Sequence, residues 1–585
     1  MLLKKLKTKW ADKIDPEHVL EEYPRPLMKR NSYVNLNGWW EYAITETEKR
    51  PVQYDGKILV PFSPEAPLSG VERQLKPKEY LWYRCRLPEE IKVRKGRKWI
   101  LHFGAVDQDA DVYMNGKWMT RHSGGYLPFS VDITEALTGI EEELIVRVRD
   151  ASDQSYYSRG KQRLEKGGMF YAAQSGIWQT VWMEEVPKNH ICNLINTPIY
   201  DEQCLHIKIE TSRPELKSEA EVTVYSDDLK PVCVKGQTQE VIEIPIPDMH
   251  SWSPEDPYLY QIEIRMEEDY VESYAAMRSI SIENDKKGIP RIYLNHQPYF
   301  QKGVLDQGYW PEGLYTPPCD EAMIYDIQTM KELGFNMLRK HVKIEPQRWY
   351  YHCDRLGMLV WQDMVNGGRS YKLWYVTYLA TGMEFFHIKM PDSTLWLLGR
   401  KEEKGRKQFV GEMRQTIRSL YNHPSIVTWV LFNEGWGQFH AQAVIKAARE
   451  EDANRLIDQA SGWFDQGGGD IRSIHDYFFP LKIQPEKRAS ALTEFGGYSL
   501  SIPGHRMYQK IYGYRTYEKK EDLTQGYRSL IEKEIIPNIK KGLSATVYTQ
   551  LSDIEEEVNG ILTYDRKLLK MDEEVLRELN EKLIL

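Results

Sequence analysis

Lys407-Gln-Phe-Val-Gly-Glu-Met-Arg-Gln-Thr-Ile-Arg-Ser-Leu-Tyr421 carries a helical apolar period and soon leads into Ile426-Val-Thr-Trp-Val-Leu-Phe432. A helix feeding a short, continuously apolar strand is the unit of a parallel sheet whose faces are both covered. The unit recurs on both sides of this stretch. Helix Glu321–Leu333 leads into Asn336-Met-Leu-Arg339, Gln347–Leu356 into Met358-Leu-Val-Trp361, and Ala441–Glu451 into Leu456-Ile-Asp458. Such alternation over about 300 residues predicts a closed parallel (β/α)8 barrel, here residues 284–585. In that architecture the polar residues ending each strand build one functional mouth.

Upstream the style differs. Between Tyr33 and Glu185 short apolar-aromatic runs alternate with turns, and Asn115-Gly116 between two of them is a strong hairpin signal. Residues 1–185 therefore read as one β-sandwich, and residues 186–283, with Leu205-His-Ile-Lys-Ile209 and Tyr260-Gln-Ile-Glu-Ile-Arg265, as a second of immunoglobulin-like size. Three domains suit 585 residues at roughly 100–200 per domain.

Charge excludes some functions. Lys+Arg number 78 against 86 Asp+Glu, a net −8 without clustered cations, so no nucleic-acid partner is expected. Met1-Leu-Leu-Lys-Lys lacks the apolar core of a secretory signal, and no stretch is apolar enough to span a membrane. The six cysteines are scattered without CxxC spacing, which with the missing signal points to free thiols in the cytoplasm. The 17 Trp, 37 Tyr and 15 Phe suit both sandwich cores and sugar-stacking faces and decide neither.

Two strand ends carry the chemistry: Phe432-Asn433-Glu434-Gly435-Trp436-Gly437 and Ala491-Leu-Thr-Glu494-Phe-Gly-Gly497. Each sets a carboxylate between buried apolar residues and glycines that let the chain turn. Two carboxylates facing one mouth are what glycoside hydrolysis needs, one to protonate the departing oxygen and one to attack the anomeric carbon or activate water. No GxSxG elbow, HExxH helix or phosphate-binding glycine loop competes, and His and Cys never cluster at zinc spacing. Asp306, ending the first barrel strand, is a candidate for bonding ring hydroxyls, with Trp310 as a stacking wall. The aromatic-rich connection from Val365 to about Lys404 is too long for a simple loop and is expected to cover the mouth.

With these motifs the chain resembles glycoside hydrolase family 2, which holds β-galactosidases, β-glucuronidases and β-mannosidases. The resemblance also rests on Tyr23-Pro-Arg-Pro26, Leu36-Asn-Gly-Trp39, Ser175-Gly-Ile-Trp-Gln-Thr-Val-Trp182, Asn336-Met-Leu-Arg339 with His341, and Asn422-His-Pro-Ser425. It implies a jelly roll, an immunoglobulin-like sandwich and the barrel, in that order. It also implies a retaining mechanism with Glu434 as acid/base and Glu494 as nucleophile, about 5–5.5 Å apart. By the same resemblance Asn433 bonds the sugar 2-OH, Tyr477 orients the nucleophile, Arg339 and His341 line the sugar subsite, and Tyr548 lies under the sugar. Relatives acting on glucuronides hold the carboxylate with an Asn-x-Lys clamp, where this chain has Glu557 and Asn559. A neutral sugar, galactose first, is therefore expected, its hydroxyls bonded by Glu557 or Asn559, with glucuronide, galacturonide and mannoside as alternatives. No metal or cofactor is implied, and a homo-oligomer is left open. A non-catalytic carbohydrate-binding protein is the rival reading, disfavoured because both carboxylates are present.

Overall fold

Eight strands close the barrel: Gln301–Asp306, Met337–Lys340, Leu359–Asp363, Ile426–Val430, Leu456–Asp458, Ile471–Asp476, Ala489–Gly496 and Leu543–Thr549, each parallel to its neighbours. The computed structural model describes residues 2–227, 230–386, 388–484 and 486–585, the side chains of 384 and 385 excepted. Strand side chains alternate faces. Leu305, Met337, Trp361, Ala491, Ala545 and Val547 fill the interior, whereas Val304, Leu338, Val360, Leu492 and Tyr548 pack outward against the helices. That parity decides which polar residues reach the mouth. Arg339 shares the inward face of Met337, and Lys340 the outward face of Leu338.

Gln347–Leu356 and Ala441–Glu451 are helices as expected. The helix expected at Lys407–Tyr421 runs Glu403–Leu420, one turn earlier. Gly405 obscures that turn in the sequence, since glycine disfavours helix. It is needed there because a Cβ would lie 3.1 Å from Tyr156, a residue of the first sandwich.

The first sandwich sets a four-stranded sheet, ordered Tyr33–Asn35, Val181–Pro187, Arg97–Phe103 and Phe129–Asp132, against a six-stranded one containing Gly38–Thr45, Tyr80–Arg86 and Glu143–Arg149. Its core includes Trp40, Tyr83, Leu101, Val112 and Val146. Asn115 and Gly116 both have positive φ (50° and 77°), the type I′ hairpin geometry. The second sandwich pairs Ile191–Ile199, Cys204–Thr211 and Val241–Pro245 in one sheet, and Val232–Gln237, Glu219–Tyr225, Tyr260–Met266 and Asp269–Ala275 in the other.

One excursion of the first sandwich matters for the site. Residues Ser158–Arg163 leave the sandwich and lie across the barrel mouth. Ser158 bridges Gly367, and the amides of Arg159 and Gly160 donate to the Asn366 carbonyl (2.9 and 3.1 Å). Gly160 has φ 62°, and a Cβ there would stand 2.8 Å from the Val342 carbonyl. Only glycine lets this segment sit so close to the loop after Arg339 and His341.

Candidate active site

Inward parity brings five strand ends together. Arg339, fully buried, grips Asp363 through two bonds (2.9 and 3.0 Å). The same guanidinium donates to the Thr493 carbonyl (3.0 Å), to Glu494 Oε1 (3.2 Å) and to Asn433 Oδ1 (2.8 Å). It thus indexes the third, fourth and seventh strands to one another. Asp363 also accepts from His341 Nδ1 (2.8 Å), leaving Nε2 buried and unpartnered. Burial, with the nearby Lys161 charge, holds the His341 imidazole down to about 4. It is therefore neutral, with Nε2 as a free acceptor.

Glu494 has both oxygens engaged. Tyr477 Oη donates to Oε2 (2.6 Å) and lies 3.0 Å from Thr549 Oγ1, while Arg339 donates to Oε1. Burial pushes its carboxyl up, but His475, the Arg339 guanidinium and the Lys161 ammonium outweigh burial and hold it well below the usual carboxylate range. Glu434 is placed differently. Its backbone takes φ 51°, with its amide on the Ser461 carbonyl (2.9 Å), and its Oε1 meets His475 Nδ1 at 2.9 Å. His475 Nε2 contacts Ser461 Oγ (2.8 Å), which donates to Thr493 (2.9 Å). One oxygen of Glu434, one of Glu494 and a nitrogen of His475 lie within 4.8 Å of one another. These three are the ligand group that could accept a cation among the described residues, but Glu494 already spends its oxygens on Arg339 and Tyr477.

Three sequence candidates lie elsewhere, and parity explains two of them. Tyr548 was expected under the sugar; it points outward, against Phe495 and Tyr527 (5.6 and 5.1 Å between ring centres), and the inward neighbour Thr549 reaches Tyr477 instead. Asp306 follows the inward Leu305 and so faces outward, accepting from Lys340 Nζ (2.6 Å) and the Gly308 amide (2.9 Å). Trp310 is packed against Trp10 beneath the Arg566 guanidinium (4.3 Å), away from the carboxylates. Glu557 and Asn559 are buried in a polar chain: Glu557 accepts from Tyr171 Oη and from Asn559 Nδ2 (2.9 Å), and Asn559 accepts from Gln550 (2.7 Å).

Asp363, His475, Ser461, Thr493 and Thr549 were missed in the sequence. His475 alone carried a usable signal, since it stands near the end of the strand Ile471–Asp476, two residues before Tyr477. The long connection holds a π-helix at Trp374–Leu379 and a short helix at Ala380–Phe385; the Phe385 side chain lies outside the described residues. It packs Tyr371, Tyr375 and Val376 against Trp436 and Phe464. Trp463 Nε1 donates to the carbonyls of both Val376 (2.6 Å) and Glu434 (3.1 Å), tying the connection to the site. Trp374, Tyr378 and Trp396 remain exposed.

A barrel with a buried carboxylate pair in its mouth, preceded by two sandwiches, defines the architecture of a multidomain glycosyl hydrolase. The model for the family 2 sugar-binding domain matches residues 3–187, the general family 2 model 195–278, and the family 2 TIM-barrel model 291–569. The chain belongs to glycosyl hydrolases family 2. It is 27% identical over 396 residues to a β-galactosidase of Leuconostoc mesenteroides, covering 63% of this chain and 34% of that protein. It is 24% identical over 441 residues to a β-glucuronidase of Streptococcus agalactiae, covering 70% and 68%. Several curated relatives are much longer, and the chain spans between 34% and 39% of their length. Among solved structures, an uncultured Clostridium β-glucuronidase superposes with TM-score 0.73 at 18% identity, covering 95% of this chain and 99% of that one. A β-galacturonidase of Eisenbergiella tayi superposes with TM-score 0.69 at 18% identity, covering 96% and 99%. At such identity the structures establish the shared fold.

Proposed function

We propose that the protein is a retaining exo-β-glycosidase, with Glu494 as nucleophile and Glu434 as acid/base. The observation that carries this reading is the carboxylate pair itself, with oxygens within 4.8 Å of each other in two unlike environments. Retaining enzymes need the short separation of roughly 5–5.5 Å, because the second carboxylate attacks carbon directly instead of activating an intervening water. Glu494, held anionic by Arg339, suits attack. Glu434 faces an imidazole that meets either of its protonation states. His475 donates from Nδ1 when Glu434 is a carboxylate, and accepts there when Glu434 is an acid, its Nε2–H then donating to Ser461 Oγ while Ser461 donates to Thr493. An acid that becomes a base within one cycle needs such a partner. Asn433, fixed by Arg339, is placed beside Glu434 to bond the 2-OH.

Residues 1–185 and 186–283 serve in this reading as domains buttressing the catalytic domain 284–585. The carbohydrate substrate enters past the aromatic connection between Val365 and Lys404. All six cysteines are free thiols, which supports a reducing, cytoplasmic setting, and among the described residues no helix is long and apolar enough to cross a membrane. The relatives' names divide between galactosides and glucuronides. The expectation of a neutral sugar rests on the lysine clamp that Glu557 and Asn559 replace, and both residues are bonded into the Tyr171–Gln550 chain. The test is a panel of p-nitrophenyl β-glycosides, with NMR identification of the first-formed anomer on any sugar released. A β-anomer supports the reading; an α-anomer or inactivity on every sugar refutes it.

A further inference from the structure

The first sandwich places an ammonium in the mouth that the protein itself does not neutralise. Lys161 is 7% exposed, and its Nζ makes no hydrogen bond and no ion pair among the described residues. The other three buried lysines are all paired: Lys340 with Asp306 and Glu345, Lys343 with Glu345, and Lys570 with Asp553. The Lys161 Nζ keeps contact with solvent, so the charge faces the mouth without being neutralised inside the protein. Lys161 Nζ instead stands between aromatic rings, 5.7 Å from Tyr171 and 5.8 Å from Trp436. Trp436 Nε1 and His341 Nε2 are buried polar atoms without partners.

The position follows from the chain path. Gly160 seats the segment against Val342, next to His341, and the Lys161 charge acts on both His341 and Glu494. The lysine therefore shares the mouth with His341 and the two carboxylates, its Nζ beside Trp436, two residues past Glu434. Glu494 is not its missing partner, since that carboxylate is already bonded to Arg339 and Tyr477. One free cation matches one negative charge, such as a carboxylate on the sugar ring.

We infer that Lys161 is the specificity-determining cation of the sugar subsite and that the glycone is a uronic acid, with His341 Nε2 accepting a ring hydroxyl. This rests on the glycosidase reading above and replaces galactose as the first choice of sugar. The pocket supplies the charge from the first sandwich, while the barrel position where the resemblance implies a lysine clamp holds Asn559.

The experiment measures kcat/KM for p-nitrophenyl β-glucuronide, β-galacturonide and β-galactoside with the full chain and with Lys161→Met, which keeps the length and apolar stem. A charge-assisted bond to the sugar is lost in the variant, so the ratio of kcat/KM for the better uronide to that for the galactoside falls at least tenfold and up to about a hundredfold. Equal losses on both sugars would show that Lys161 serves only the electrostatics of Glu494 and would overturn the inference. So would a wild-type preference for the galactoside, which leaves the glycosidase reading intact. Inactivity on all three sugars, and on the wider panel, instead removes the glycosidase reading itself. Should the variant not fold, competitive inhibition of the wild type decides: free glucuronate or galacturonate should inhibit at least tenfold more tightly than glucose or galactose, and equal inhibition overturns the inference.

Discussion

Removing either carboxylate should stop turnover in a different way, and azide tells the two apart. His475 and the Arg339 guanidinium hold the Glu494 carboxyl well below its ordinary range, so at pH 7 it is the attacking anion. Glu494→Ala deletes the attacking atom, so no glycosyl-enzyme forms and kcat should fall by 10⁵-fold or more, on the order seen when a catalytic nucleophile is removed. Glu434→Ala deletes the proton donor, worth roughly 10²–10⁴-fold for a poor leaving group and much less for dinitrophenolate, which departs without help. Alanine at position 434 should fold, because the strained φ of 51° penalises alanine no more than glutamate. With that variant a 2,4-dinitrophenyl glycoside should form glycosyl-enzyme quickly and lose it slowly, and azide should speed the second step. The azide attacks the face that Glu434 vacated, so the product keeps the β configuration, as NMR would show. With Glu494→Ala any azide adduct should be inverted. An α-glycosyl azide from Glu434→Ala would assign the two roles backwards and sink the argument from Arg339 and His475.

Tyr477→Phe removes a 2.6 Å bond to the Glu494 carboxylate, and kcat should fall roughly 10- to 100-fold with KM changed much less; a change confined to KM would contradict the orienting role. Trp374→Ala with Tyr378→Ala, both exposed on the long connection, should impair oligosaccharide cleavage several-fold more than p-nitrophenyl monoside cleavage, and equal losses would make that rim structural. Burial keeps His102 and His341 neutral, each down to about 4 from 6.5, although Glu184 partly opposes the shift at His102. The unfolded chain then binds protons that the folded chain refuses, so stability is complete above about pH 6.5 and declines as pH falls from there toward 4, by at most roughly 3 kcal/mol per imidazole. Calorimetric Tm should drop between pH 7 and pH 4.5; a constant or rising Tm would refute it.

The barrel was legible because each of its helices and strands states its own period, and Glu434 and Glu494 were legible because each follows a buried run and precedes glycines. Parity was the weak point. Tyr548 and Asp306 each lie one residue out of phase with the inward face, and a one-residue error turns a sugar contact into a packing or ion-pair residue. Counting parity along the seventh strand fails as well, since its pairing with the eighth shifts between Leu492 and Phe495. Lys161 had no local signal of any kind. Its segment resembles an ordinary polar loop until Gly160 is seen against the Val342 carbonyl, a contact between two domains. The proposed nucleophile and acid therefore come from barrel strands whose pattern is local, while the cation proposed to select the sugar comes from a loop whose meaning exists only after the domains have docked. Substitutions at the domain contact, such as Gly160→Ala with its Cβ 2.8 Å from a carbonyl, should for the same reason alter which sugar is accepted before they abolish catalysis.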